Sequence, residues 1–143
     1  MRTIVDLHIH SKYARACSPL LTPENLAVWA DKKGIGVLGT GDFTHPKWME
    51  DLVGLTEVEE GLYGTKDHAV RFMYTAEIAS IYKQGEKLRR VHNLVFAPSR
   101  EAALKFNAAL EARGANLKSD GRPIMGIHCD ELVRIAKDVH ADM

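Results

Sequence analysis

Residues 3–10 read TIVDLHIH, an apolar run that ends in two histidines separated by one residue. The apolar and β-branched residues predict a β-strand over residues 3–9. Side chains at positions i and i+2 of a strand point to the same face, so His8 and His10 should project together. Two neutral imidazoles side by side suit a metal ion far better than a hydrocarbon core. The end of this strand is therefore the first candidate for a metal site.

Segments typical of strands and of helices alternate along the rest of the chain. Thr22 is a favoured N-cap before Pro23, and Gly34 is a favoured residue at a helix end. Helices are predicted at residues 23–34, 46–60, 99–114 and 130–139. Further strands are predicted at residues 35–40, 70–82 and 123–127, with residues 82–96 forming a hairpin that turns at Gln84 and Gly85 into another strand. This alternation predicts an α/β fold with a largely parallel sheet.

The composition sets limits on the class of protein. A chain of 143 residues can bury one core, so we expect a single domain. Nineteen Lys and Arg balance nineteen Asp and Glu, so contact with nucleic acid would have to come from a local basic patch. Two cysteines without CxxC spacing favour a reducing compartment, and the sequence has neither a signal peptide nor a membrane-length apolar run. We therefore expect a soluble, cytoplasmic protein without membrane contact.

Further histidines and carboxylates follow the other predicted strands. In α/β folds ligands gather where strands end and loops begin, and Asp42 and His45 come directly after the second strand. Glu77 lies late in the apolar third strand, where an unpaired carboxylate would be very costly to bury, so it needs a cation. The hairpin could return His92 to its side. The candidate metal ligands are His8, His10, Asp42, His45, Glu77 and His92.

Simpler interpretations of three of these residues remain open. Asp42 could be a turn or helix-entry residue, since Asp commonly caps helices. His45, directly before Pro46, could belong to an ordinary loop, and His92 could be a surface residue of the hairpin.

The candidate ligands resemble, in order, the first motifs of the PHP (polymerase and histidinol phosphatase) superfamily. The matching segments are DLHIH, the Asp and His of GTGDFTH, the Glu of TAEI and the His of VHNLVF. The longer strings HIHSKYARACS, GTGDFTHPKW and NLKSDGRPIMG resemble the endonuclease Q family, and the similarity runs across essentially the whole chain. The resemblance implies a distorted (β/α)7 barrel that holds two or three divalent metal ions. It also implies a DNA-repair endonuclease that cuts the phosphodiester 5′ of deaminated bases or abasic sites.

Two positions depart from the usual PHP pattern. Many PHP enzymes carry Asp or His five residues after the second His of HxH, where this chain has Arg15. Its positive charge could serve the substrate phosphate instead of a metal. Many members also read Thr-Asp-His in the second motif, whereas this chain reads TGDFTH, so His45 would replace the usual ligand.

The resemblance also implies parts that residues 1–143 do not supply. PHP sites are completed by a later His and an Asp-x-His motif, and nothing after His92 matches them. A (β/α) barrel needs roughly 200 residues or more. We therefore expect residues 1–143 to be the N-terminal part of a PHP domain that is inactive as an isolated segment. Ile4 and Val5 of the first strand would be open in such a segment, which favours self-association.

The resemblance assigns roles to individual residues. Glu77 and Asp42 would be catalytic as well as metal-ligating, with Glu77 bridging two ions, and Lys12 and Arg15 would bind phosphate. Imidazole and carboxylate ligands fit zinc, manganese or iron.

Three functions remain open from the sequence. They are a metal-dependent endonuclease on damaged DNA, a phosphatase acting on a small phosphate monoester, and a non-catalytic metal-binding fragment. A basic hairpin favours the first by offering a strip for DNA phosphates. This strip consists of Lys83, Lys87, Arg89 and Arg90.

Overall fold

The computed structural model describes residues 2–143 and shows a mixed α/β fold. The strands are β1 (Val5–Asp6), β2 (Val37–Gly39), β3 (Thr56–Glu59), β4 (Leu62–Gly64), β5 (Arg71–Gln84), β6 (Lys87–Ala97) and β7 (Ile124–Met125). The helices are α1 (Pro23–Lys33), α2 (Pro46–Asp51), α3 (Arg100–Glu111) and α4 (Cys129–Val139), with a short 3-10 turn at Leu52–Gly54.

Strand β5 is the centre of the sheet because it pairs with four other strands. Its first residues pair with β2 in parallel and, at Phe72, with β4 in antiparallel orientation. Its remaining length pairs with β6 in antiparallel orientation, and Ala79 and Ser80 pair with β7 in parallel. The prediction of a largely parallel sheet is therefore wrong, because the two hairpins β3–β4 and β5–β6 bring antiparallel pairs into it.

The change of partner along β5 leaves a gap on one of its edges. The ladder with β2 stops at Met73, and the ladder with β7 begins at Ala79. Between them, loop residues occupy the edge: Phe43 donates its backbone N–H to the carbonyl of Thr75. Glu77 lies in this interval, near the middle of β5 rather than at its end. The loops that follow β1 and β2 are thus brought to Glu77.

Several predicted elements are confirmed with their caps. The Thr22 hydroxyl accepts a hydrogen bond from the backbone N–H of Asn25 at the start of α1, which ends at Gly34 in a left-handed conformation. Ser99 caps α3 in the same way through the backbone N–H of Ala102. The β5–β6 hairpin turns immediately after Gln84, as predicted.

Several predicted elements are shorter than expected, including the strands predicted at residues 35–40 and 123–127, which are limited to β2 and β7. The helix predicted at residues 46–60 is wrong after the 3-10 turn, because the residues Thr-Glu-Val-Glu alternate as in a strand and form the β3–β4 hairpin. The strand predicted at residues 3–9 is limited to Val5 and Asp6, since its neighbour β2 has only three residues to pair with. His8 and His10 therefore lie in the loop after β1.

The core lies against one face of the central strand, which contributes Phe72, Tyr74, Ala76 and Ile78. Five aromatic residues are less than 2% exposed, and they are Phe43, Trp48, Phe72, Tyr74 and Phe106. Helices α3 and α4 pack against each other and on β6. Within residues 2–143, no helix has both the length and the apolar character that crossing a bilayer requires.

Candidate metal centre

Three imidazoles surround the carboxylate of Glu77, whose side chain is only 2% exposed. Nε2 of His8 lies 2.7 Å from Oε2 of Glu77, and Nε2 of His10 lies 3.1 Å from the same oxygen. Nδ1 of His92 contacts the other oxygen, Oε1. Ligand atoms of His8, His10 and Glu77 all lie within 4.8 Å of one another, close enough to share a metal ion.

The secondary structure explains why these side chains meet. His92 pairs with Ala79 in the β5–β6 ladder, two residues along β5 from Glu77. Side chains two residues apart on a strand share a face, so His92 reaches Glu77 diagonally across the hairpin. His8 and His10 arrive on the loop after β1, whose Ile9 carbonyl lies against Gly41 in the loop that fills the gap beside β5. The side chains of His8 and His92 are about half exposed. The cluster formed by His8, His10, Glu77 and His92 is therefore open to solvent.

Asp42 is buried behind His10 and fixes the orientation of its ring. Oδ1 of Asp42 lies 2.9 Å from Nδ1 of His10. Oδ2 accepts two hydrogen bonds from Ser11, one from the backbone N–H at 2.6 Å and one from the hydroxyl at 2.7 Å. Asp42 therefore contacts the cluster through His10, an arrangement common for carboxylates beside metal-binding histidines. It lies outside the His8–His10–Glu77 group, and its roles as a metal ligand and a catalytic residue stay predictions.

The loop that carries Asp42 has an uncommon backbone. Gly41 and Asp42 both have positive φ, at 63° and 52°. A Cβ atom on Gly41 would collide with the carbonyl oxygen of Ile9, so only glycine fits there. The indole N–H of Trp48 donates to the carbonyl of Gly41 at 2.7 Å, and Thr75 Oγ1 accepts from the N–H of Gly41 at 3.0 Å. These contacts hold a left-handed conformation that is unfavourable for Asp42 by itself.

Electrostatics in the cluster favour a negative Glu77 and a positive His10. Burial by itself raises the pKa of Glu77. A hydrogen bond from His8 and the charges of His92, His10 and Arg122 together outweigh this effect, so the pKa of Glu77 lies below its usual value. The hydrogen bond with Asp42 raises the pKa of His10 against the opposing effect of burial. Without a metal, the raised pKa of His10 favours the positively charged form of its ring.

The residues present fit a divalent metal ion. Oε1 of Glu77 is buried and receives no well-directed hydrogen bond from any residue of 2–143, although His92 lies against it. A buried oxygen of this kind is costly unless a cation satisfies it. Imidazole nitrogens together with a carboxylate suit zinc, manganese or iron better than calcium. The fold therefore brings together the predicted ligands His8, His10 and Glu77, and His92 contacts Glu77.

His45 and Lys12 have other partners in the structure. His45 is buried and stacks on Tyr13, with ring centroids 4.5 Å apart and an interplanar angle of 9°. Burial lowers the pKa of His45. It lies outside the His8–His10–Glu77 group, and its role as a metal ligand stays a prediction. Nζ of Lys12 pairs with Asp51 at 2.8 Å. Arg15 is exposed on the same loop.

Sequence reasoning missed two residues near the cluster. Ser11 holds Asp42 through two donors, and Nη1 of Arg122 lies 3.7 Å from Oε1 of Glu77. The residues around Arg122 by themselves indicate only a turn before the last strand. A signal for its role was present, because Arg122 lies in NLKSDGRPIMG, one of the strings that carry the endonuclease Q resemblance.

Comparison with known proteins gives matches over nearly all of this chain. It is similar in fold to endonuclease Q. The lesion-specific endonuclease PfuEndoQ from Pyrococcus furiosus superposes with a TM-score of 0.82 at 30% identity, over 96% of this chain and 32% of that one. Endonuclease Q in complex with a 27-mer duplex substrate, with an abasic lesion at the active site, gives a TM-score of 0.81 at 31% identity, over 94% of this chain and 32% of that one.

The sequence comparisons add one relative. The chain is 30% identical over 135 residues to the uncharacterized protein MJ0043 of Methanocaldococcus jannaschii, covering 94% of this chain and 15% of the relative. No family model matches the chain. The chain thus spans about a third of the two endonuclease Q structures and a smaller part of the curated relative.

Proposed function

We propose that this chain belongs to a metal-dependent phosphodiesterase of the PHP superfamily, a DNA-repair endonuclease that cuts 5′ of deaminated bases or abasic sites. The observation that carries the proposal is the convergence of His8, His10 and His92 on the buried carboxylate of Glu77. The similarity in fold to a lesion-specific endonuclease supports DNA as the substrate.

In this proposal two or three zinc, manganese or iron ions bind at the cluster, with His8, His10, Glu77 and His92 as ligands and His45 as a further one. When bound, such ions lower the pKa of a water molecule and stabilise the charge that develops on the phosphate. Asp42 keeps the Nδ1 proton of His10, which leaves Nε2 as the free lone pair for a metal.

Basic residues on the loop after β1 would hold the substrate. Arg15 is exposed on this loop and can donate to phosphate oxygens in pairs. Lys12 is held by Asp51, so its binding of phosphate requires that ion pair to open or to be shared. The contribution of Lys12 to binding should therefore be smaller than that of Arg15.

We also place residues 1–143 in the N-terminal part of a distorted (β/α)7 barrel. The parallel pairs β1–β2 and β2–β5 are what the start of such a barrel would contain. The later His and the Asp-x-His pair would then come from outside residues 1–143. On this basis the full-length polypeptide, rather than the 143-residue segment, carries the activity.

The test is incision of an end-labelled DNA duplex by the full-length polypeptide in the presence of manganese or zinc. One duplex carries a single hypoxanthine, a second an abasic site, and an undamaged duplex of the same sequence is the control. We expect a single cut 5′ of the lesion that is abolished by a chelator and by His8→Ala. Hydrolysis of nucleoside monophosphates without incision would instead favour a phosphatase. Metal binding without either reaction would favour a non-catalytic domain.

A further inference from the structure

A cavity of about 400 Å³ lies beside the metal cluster and is lined by two arginines, Arg15 and Arg122. Tyr13, Asn116 and Ser119 complete much of its wall. None of the histidines that surround Glu77 lines it, so the cavity is a separate compartment. Arg122 marks its border with the cluster, because Nη1 of this residue lies 3.7 Å from Oε1 of Glu77.

The two arginines are held together by a shared acceptor. Oδ1 of Asp120 accepts the backbone N–H of Arg15 at 3.3 Å and that of Arg122 at 3.0 Å. The backbone N–H of Gly121 also donates to the carbonyl of Tyr13 at 3.1 Å. The loop after β1 and the segment before β7 are therefore joined next to the cavity, although more than 100 residues separate them in the chain.

The segment before β7, which contains Gly121, packs directly on the loop that carries Asp42. A Cβ atom on residue 121 would collide with Oδ2 of Asp42, so the backbone can approach this carboxylate only because Gly121 has no side chain. Thr44 Oγ1 adds a hydrogen bond to the carbonyl of Gly121 at 3.3 Å. The position of Arg122 is thus tied to the residues that orient His10.

Both guanidinium groups are available to a ligand. Arg15 forms no ion pair with any residue of 2–143, and the side chain of Arg122 is 39% exposed and only distantly paired with Glu77. Asp120 is the acidic residue of the lining, but two N–H donors already bind one of its oxygens. Two arginines facing one cavity favour an anion, and their planar donors match phosphate oxygens.

We propose that Arg15 and Arg122 form a phosphate-binding subsite, which takes a phosphodiester of the substrate strand next to the one that is cleaved. The inference rests on the proposed function, since it assumes that the substrate is a nucleic acid. A neighbouring phosphate fits better than the cleaved one because the cavity excludes the histidines of the cluster. Asp120 is a positioning residue that sets the spacing of the two arginines.

The test compares Arg122→Ala, Arg15→Ala and the control Arg134→Ala. Arg134 lies on α4, pairs with Asp130 and is outside the cavity, so its loss removes one positive charge without touching the subsite. Binding of inorganic phosphate to the chelator-treated protein is measured by calorimetry. Binding of a duplex with one abasic site to the metal-loaded full-length polypeptide is measured between about 50 and 200 mM salt, values chosen because phosphate contacts weaken steeply over this range. Thermal melting checks that each variant is folded.

We expect each cavity variant to weaken phosphate and DNA binding about tenfold at low salt, as for a lost charged hydrogen bond. The salt slope of DNA binding should fall by about one. Arg122→Lys should restore part of the affinity because it keeps a point charge without the paired donors. If wild type binds phosphate but no duplex, the subsite stands and the proposed function fails. Equal losses in Arg134→Ala and Arg122→Ala, or a wild type that binds neither probe, would overturn the subsite.

Discussion

The buried Asp42 and the partly exposed His10 form a pair in which Oδ1 of the carboxylate lies 2.9 Å from Nδ1 of the imidazole. The opposite ring nitrogen, Nε2, lies 3.1 Å from Glu77. Asp42 therefore fixes the orientation of the His10 ring, while Glu77 lies next to Nε2, the ring nitrogen that would bind a metal ion. This arrangement orients His10 before any ion arrives, which lowers the cost of ordering the ligands on binding.

Replacing Asp42 by Asn should weaken metal binding without unfolding the protein. The amide keeps the size of the side chain but loses the charge that holds the Nδ1 proton of His10. Metal affinity should fall roughly 10- to 100-fold, as is usual when such an outer carboxylate is changed. Competition against a chromophoric chelator measures the loss. Ser11→Ala is the control, since it removes a donor to Asp42 but leaves His10 in contact. A larger loss in Ser11→Ala would contradict the role given to Asp42.

The metal-free protein should show an elevated pKa for His10. The hydrogen bond with Asp42 raises it above 6.5, so the protonated pair stabilises the folded state fully below the unfolded pKa. That stabilisation is lost as the pH rises through the folded pKa. NMR titration of the imidazole protons of the metal-free protein measures this value. Asp42→Asn should lower it, and an unchanged titration in that variant would show that Asp42 is not the cause.

Replacing Glu77 by Gln should abolish cleavage by the full-length polypeptide while largely preserving DNA binding. The amide would keep the shape of the side chain but lose the charge on which the three imidazoles converge. We expect the cleavage rate to fall by at least about 10³-fold, comparable to losing a strong electrostatic contact to the transition state. Single-turnover cleavage and electrophoretic mobility shift measure the two effects separately. Parallel loss of both would indicate a structural role instead.

The convergence of His8, His10 and His92 on Glu77 could largely be predicted from sequence. His8 and His10 both contact Glu77 as predicted, although they lie in the loop after β1 rather than in a strand. The turn after Gln84 folds His92 back beside Glu77. Apart from the resemblance of NLKSDGRPIMG, no sequence pattern placed Arg122 beside Glu77, since its position depends on where the segment before β7 meets the loop after β1. Contacts between segments that are distant in the chain leave no periodic pattern in the sequence from which they could be predicted. The helix predicted at residues 46–60 failed after the 3-10 turn because Thr56–Glu59 pair with β4 in a hairpin instead.

The register of the β5–β6 hairpin divides its basic residues between two faces. Arg90 pairs with Ile81 and shares a face with His92, whereas Arg89 points to the opposite face and donates to Oε1 of Gln84 at 3.1 Å. Arg90→Ala should therefore weaken binding of a lesion-containing duplex a few-fold and reduce its salt slope by about one. Arg89→Ala should change both much less. Fluorescence anisotropy at several salt concentrations compares the two variants, and equal effects would mean that the hairpin attracts DNA only through its overall charge.

Strand β1 should make the 143-residue polypeptide self-associate. It pairs only with β2 within residues 2–143, and Val5 and the preceding Ile4 are each 54% exposed. An apolar groove of about 560 Å³ that includes Leu21 and Trp29 opens nearby. An unpaired edge next to apolar surface favours pairing with another chain. Sedimentation velocity should therefore show concentration-dependent association.

A charge on the edge strand should reverse this association. Val5→Lys places an ammonium group where a second strand would pair, which is a common natural protection of sheet edges. Val133→Lys is the matched control, because this valine of α4 is 57% exposed and lies on neither β1 nor the groove. We expect Val5→Lys to shift the polypeptide to a monomer at concentrations where Val133→Lys still associates. A wild-type polypeptide that stays monomeric at all concentrations would show that the open edge of β1 does not drive association.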